Sequence, residues 1–133
     1  MKLYADEPGA DAVRGLPLAI VSTLARVEVP SALWRKHRIG ELSREDAAVL
    51  VQAFERDWFG AEAEPVLVRI RVTEDVLDEA ALCAARHPLR AYDAIQLASA
   101  IAARRAEPGV TAFACFDERL TAAAVAEGFT HPE

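Results

Sequence analysis

The sequence contains no apolar run approaching the roughly 20 residues needed to cross a bilayer. Its opening residues, Met1-Lys2-Leu3-Tyr4-Ala5-Asp6-Glu7, also lack the apolar stretch of a secretory signal. A cytoplasmic protein is therefore the expectation. Cysteine is scarce: Cys83 and Cys115 have neither metal-ligand spacing nor a histidine pair beside them, which leaves a reduced, buried pair with no chemistry assigned. The three histidines, His37, His87 and His131, are scattered, so nothing points to zinc. Lysine occurs only as Lys2 and Lys36, which argues against a phosphoryl-receiving or phosphatase domain, where a strand-end aspartate works with a later lysine. A surplus of positive charge is missing too. At a net charge of −6 the chain cannot coat nucleic acid non-specifically, since that mode requires a broad basic surface. A nuclease remains possible, because acids gathered around a divalent cation present a reversed local potential to phosphate.

What is present suits one globular domain. The chain has 133 residues, 53% of them hydrophobic, enough to bury a core. No repeat, low-complexity tract or linker interrupts it. Leu18-Ala19-Ile20-Val21 reads as a buried strand, and Ser22-Thr23 as capping residues for a helix through Lys36, with Pro30 as a kink. Ser43-Arg44-Glu45-Asp46 opens a second helix with Leu50, Val51 and Phe54 on one side, ending near Trp58 or Gly60. Val66-Leu67-Val68-Arg69-Ile70 is a second strand, and Thr73 starts a helix that stops before Pro88. Residues 91–106 form a helix apolar nearly all round, which must be largely buried. Thr111 to Phe116 is a third strand, followed by a helix from Glu118 to Glu127 closed by Gly128. This alternation predicts an α/β fold with a parallel sheet covered by helices on both faces.

In such sheets functional side chains gather where strands end and helices begin. Three acids meet that rule: Glu28 after the first strand, Asp93 in the first turn of the buried helix, and Asp117 directly after Phe116. Each has an ordinary reading as well, Glu28 as a solvated helix position and Asp93 and Asp117 as caps or partners of the helix dipole. Asp93 is the most informative, because a carboxylate in apolar surroundings needs a cation or hydrogen-bond donors. Taken together, three carboxylates at one sheet edge repel one another unless a cation lies between them, and oxygen-only ligands suit Mg²⁺ or Mn²⁺. A cation so held activates water and stabilises a leaving oxygen, the chemistry of phosphodiester hydrolysis. Two basic clusters could receive phosphate, Arg35-Lys36-His37-Arg38 and the group Arg86, His87 and Arg90. The first reads equally well as a solvated helix end. Arg90, nearest Asp93, is the candidate substrate-binding residue.

The stretches Ser22-Thr23-Leu24-Ala25-Arg26-Val27-Glu28-Val29-Pro30-Ser31-Ala32-Leu33, Leu89-Arg90-Ala91-Tyr92-Asp93-Ala94-Ile95-Gln96-Leu97-Ala98-Ser99-Ala100 and Cys115-Phe116-Asp117-Glu118-Arg119-Leu120-Thr121-Ala122-Ala123-Ala124 together resemble, in order and spacing, the motifs of PIN-domain toxins of the VapC kind. The likeness covers nearly the whole chain, and the Asp93 stretch is its most specific part. It implies a single PIN-like domain over residues 1–133, with Glu28, Asp93 and Asp117 as catalytic ligands of Mg²⁺ or Mn²⁺. It further implies endoribonuclease cleavage of RNA, a cognate antitoxin that blocks the site, and a homodimer.

Two departures from the family pattern stand out. The family's first strand, with an aspartate near its end, has no counterpart, and neither Asp6 nor Asp11 falls where it belongs. Cys115 stands where serine or threonine is common. Loss of a central strand would expose apolar edges on its neighbours, so poor stability, weak metal binding and little nuclease activity are expected of this polypeptide. Calorimetric titration with Mn²⁺, with and without about ten restored N-terminal residues, tests that expectation; equal micromolar binding by both forms would defeat it. The alternative is a catalytically impaired PIN-fold module that pairs with an antitoxin-like partner.

Overall fold

Short β-branched runs bounded by turns make the only regular strands among the described residues of the computed structural model, which are 19–60, 67–115 and 117–131. These strands, β1 (Ala19–Ser22) and β2 (Leu67–Ile70), pair in parallel as a two-stranded sheet, and five helices account for most of the remaining described chain. The fold is therefore mixed α/β. The chain divides into two compact units, one containing Leu24–Val68 and the other formed from Ile20–Thr23 with Arg69–Glu133. Residues 1–18 lie outside the described residues, and with them the expected start of the first strand and the positions of Asp6 and Asp11.

The first unit is a helical hairpin of α1 (Ala25–Arg38) and α2 (Arg44–Phe59). The expected Ser22-Thr23 cap does not form. Ser22 is drawn into β1, and the N-cap is Leu24, whose side chain accepts no hydrogen bond. Pro30 stays inside α1, where its missing N–H deprives the Arg26 carbonyl of its usual helical partner. Ser43 does cap α2, its hydroxyl accepting from the Asp46 N–H at 2.9 Å. Ala25, Val29 and Leu33 of α1 and Ala47, Phe54 and Trp58 of α2 are buried, and the Phe54 and Trp58 rings meet with centroids 5.6 Å apart. At the open end of the hairpin, Arg26 reaches Glu55 at 3.3 Å and lies over the Phe59 ring, 5.2 Å from its centroid.

The second unit packs α3 (Glu74–Arg86), α4 (Ala91–Ala106) and α5 (Glu118–Ala126) around Val76, Ala80, Cys83, Ala94, Leu97, Ala98, Ile101, Leu120, Ala123, Ala124 and Phe129. Thr73 caps α3 through its hydroxyl. Along α4, Ala94, Leu97, Ala98, Ser99, Ile101 and Ala103 are buried, as its apolar circumference requires. Ser99 satisfies its hydroxyl by donating to the Ile95 carbonyl at 2.8 Å. Just past the end of α5, Gly128, with φ of 90°, turns the chain so that its N–H reaches the Val125 carbonyl and the Phe129 N–H that of Ala124, while Phe129 folds into the core.

The expected third strand is a correction. Thr111 to Cys115 forms no ladder with β1 or β2; an isolated parallel bridge joins Ala112 to Thr130, with Phe113 N donating to Thr130 O at 2.9 Å and Thr130 N to Thr111 O at 2.8 Å. A strand inside a parallel sheet is apolar on both faces. Here only Phe113 and Cys115 turn inward, and Ala112 and Ala114 are exposed.

Ion pairs tie α3 to the other elements of this unit. Glu79 accepts from Arg105 at 2.7 Å and from Arg86 at 3.2 Å, and Glu127 contacts His87 at 2.7 Å and Arg86 at 2.8 Å. The hydrogen bond from Arg105 holds the Glu79 carboxyl below its usual range against the opposing effect of burial, and His87 does the same for Glu127, with Arg86 assisting both. Carboxyl groups depressed on folding stabilise the native state above their unfolded value, and that contribution is lost as pH falls below it through the lower folded value. The urea midpoint should accordingly drop on going from about pH 6 to about pH 3, and Glu127→Gln should make the drop shallower. An unchanged acid slope in that variant would show that the pairing contributes nothing.

Candidate functional site

Asp93 and Asp117 both sit at helix starts within the second unit. The N-cap of α4 is Arg90, which has no side-chain cap bond and whose carbonyl accepts from the Ala94 N–H at 2.9 Å. Asp93 thus lies in the first turn rather than at the cap. It is half-buried where the positive end of the helix dipole favours a carboxylate. Arg90 itself is exposed. Asp117 is the N-cap of α5: its Oδ1 accepts from the Leu120 N–H at 2.9 Å, and its backbone oxygen accepts from the Thr121 N–H at 2.9 Å. The ordinary capping role expected of Asp117 is therefore realised, and it holds the carboxylate in one orientation.

Cys115 packs against the start of α5. Its half-buried Sγ donates to the Asp117 carbonyl at 3.3 Å and lies 3.6 Å from Thr121 Oγ1, whose hydroxyl is 3.4 Å from the Cys115 carbonyl. Burial pushes the Cys115 thiol up, the hydrogen bonds to Thr121 and the Asp117 backbone pull it down, and the charges of Asp117 and Asp93 push it up again. Next to Asp117 an open depression is lined by Cys115, Glu118, Thr121, Ala122 and His131.

Glu28 belongs to the helical hairpin, exposed in the first turn of α1. Among the described residues no group of three or more histidine, cysteine, aspartate or glutamate side chains is arranged to hold a metal ion. The basic clusters divide. Arg86 and His87 are committed to Glu79 and Glu127, so these two do not form the expected phosphate-binding group with Arg90; charge pairing inside the unit has claimed them. His87, in the connection after α3, has the same structural role. In the first cluster Lys36 pairs with Glu41 at 2.6 Å and His37 Nδ1 meets the Leu42 carbonyl at 3.1 Å, as befits the C-terminal end of α1. Cys83, completely buried in the core with its thiol pushed up by burial, is inert.

Cys115 and Thr121 were not among the sequence candidates. Their sequence signals were slight: Thr121 falls one helical turn after Asp117, and Cys115 stands two residues before it, where the resembled family commonly has serine or threonine. No protein-family model matches the chain, and no curated protein matches it.

Proposed function

We propose that this chain is a metal-dependent endoribonuclease of the PIN-domain toxin kind, hydrolysing RNA phosphodiester bonds and held in check by a cognate antitoxin. The fold that goes with this reading is a PIN-like parallel sheet with helices on both faces, in a cytoplasmic homodimer. The observation that supports it most is the placement of two aspartates at helix starts of one unit, Asp93 in the first turn of α4 and Asp117 at the N-cap of α5. Mg²⁺ is commonly held by one or two carboxylates, with water and substrate phosphate completing its shell, and two aspartates at helix starts meet that minimum. Asp93 and Asp117 would hold the cation, with Glu28 as the third acid.

When bound, the cation supplies an activated water and neutralises charge on the phosphate. The chain's own part is positional. Capping of α5 fixes the Asp117 carboxylate, Asp93 stands half-buried in the first turn of α4, and Arg90 offers a planar fork to a phosphate oxygen. One observation favours the second reading, a catalytically impaired module that binds an antitoxin-like partner: Asp93 and Asp117 have no third donor grouped with them among the described residues.

Incubation with a structured RNA in Mn²⁺ separates the two. The nuclease reading expects cleavage that ceases on chelation with EDTA and returns when Mn²⁺ is restored. Cleavage that persists in EDTA, or none at any Mn²⁺ concentration, would remove it.

A further inference from the structure

The exposed residues of α1 fall on one face. Val27, Glu28, Ser31, Arg35 and Arg38 are exposed, while Ala25, Val29 and Leu33 are buried. At about 100° per residue, Glu28, Ser31, Arg35 and Arg38 lie within a stripe about 80° wide. The rise of about 1.5 Å per residue puts Arg35 about 10 Å and Arg38 about 15 Å along the axis from Glu28.

The helix end does not use these two arginines as hydrogen-bond donors. Cations near a helix C-terminus ordinarily serve its last carbonyls. Here the turn supplies the donors itself: the Ile39 N–H reaches the Arg35 carbonyl at 3.0 Å, the Gly40 N–H that of His37 at 3.0 Å and the Glu41 N–H that of Lys36 at 2.9 Å, with Gly40 at a φ of 81°. The rest of the basic cluster is committed, Lys36 to Glu41 and His37 to the Leu42 carbonyl. Among the described residues no ion pair or hydrogen bond engages the guanidinium of Arg35 or Arg38. The acids nearest in sequence are occupied as well. Glu41 holds Lys36, and Glu45 and Asp46 stand in the first turn of α2, where the helix dipole favours them.

Two uncommitted guanidiniums one turn apart are a local concentration of positive charge on a chain of net charge −6. Each offers a planar fork that fits phosphate oxygens, and cations spaced along one face can follow a nucleic-acid backbone. The Ser31 hydroxyl, between Glu28 and Arg35 on the stripe, is another group of the kind that contacts phosphate. We propose that Arg35 and Arg38 form a phosphate-binding track, along which an RNA strand runs from Glu28 toward the turn between α1 and α2. The track takes its substrate and its direction from the nuclease reading, but it concerns binding and not cleavage.

Anisotropy of a labelled single-stranded RNA of about 12 nucleotides, titrated with the full chain in EDTA, measures binding without cleavage. Changing Arg35→Gln and Arg38→Gln together should weaken binding about tenfold or more at about 50 mM salt. It should also flatten the slope of log affinity against log salt by about 1.4, two phosphate contacts at about 0.7 each. Lys36→Gln, which removes a cation already held by Glu41, should leave that slope nearly unchanged. Circular dichroism and thermal unfolding of the double variant should not move, since both positions are exposed and glutamine is a good helix former. An unchanged slope in the double variant, no RNA bound by the unaltered chain, or poly-glutamate bound as tightly as RNA overturns the track. A flattened slope in a protein that cleaves no RNA sustains the track and removes the nuclease reading alone.

Discussion

Asp93→Asn should lower RNA cleavage in Mn²⁺ by roughly a thousandfold, about 4 kcal/mol of lost transition-state stabilisation, while leaving the fold intact. The two effects separate because of where Asp93 sits. Arg90, not Asp93, is the N-cap of α4, and the amide is isosteric with the carboxylate, so the helix start keeps its shape and the favourable dipole interaction given up is about 0.3–1 kcal/mol. Asp117 offers a parallel check. Asparagine caps a helix as well as aspartate does, so Asp117→Asn should keep the bond from the Leu120 N–H and lose only the charge. Asp117→Ala should lose both, adding a stability loss of about 1 kcal/mol to the loss of activity. Full cleavage by Asp93→Asn would identify a contaminating nuclease and leave the binding-module reading ahead.

Leu97→Ala should destabilise the second unit by about 3–5 kcal/mol, read as a shift of the urea midpoint at constant slope. Leu97 has no exposed surface and stands in the middle of α4, amid Ala94, Ala98 and Ile101 of the same helix, Val76, Ala80 and Cys83 from α3, and Leu120, Ala123 and Ala124 from α5. Most of those neighbours are alanines whose side chains cannot reach into a vacated space, so the cavity would persist and the upper part of the range applies. Small domains have only about 5–15 kcal/mol in total, so the variant would be marginal. Leu82→Ala, on the exposed side of α3, should move the midpoint by less than about 0.5 kcal/mol. Equal losses from the two would mean that Leu97 is not the centre of the core.

Most of the helices were legible in the sequence, and for a common reason. The capping residues Ser43, Thr73 and Asp117 bond to an N–H three residues ahead, and Gly128 turns the chain within a residue or two of its helix, so these signals lie within a short window. The 3.6-residue period likewise identified α4 as buried. Ser22-Thr23 misled because the same residues suit a cap and a strand edge, and the parallel pairing with β2, whose Ile70 carbonyl accepts from the Thr23 N–H at 2.9 Å, decided between them. Of the candidate site, the positions of Asp93 and Asp117 at helix starts could be read directly. The seating of the Cys115 thiol against the Asp117 carbonyl and the Thr121 hydroxyl could not, since it depends on how the chain enters α5 and not on any periodicity.

By itself, then, the sequence determined where most of the helices begin and end, which of their faces are apolar, and that an aspartate stands in the first turn of α4 and another at the cap of α5, because each depends on hydrogen bonds and periodicities spanning a few residues. Tertiary structure alone decided that residues 111–115 join a single bridge to Thr130 and not a ladder, and that Arg86 and His87 serve Glu79 and Glu127 instead of a phosphate. Those choices are made between partners distant in sequence, some about 40 residues apart. Which of several chemically equivalent partners a strand edge or a guanidinium takes is settled by what the packed core brings within reach.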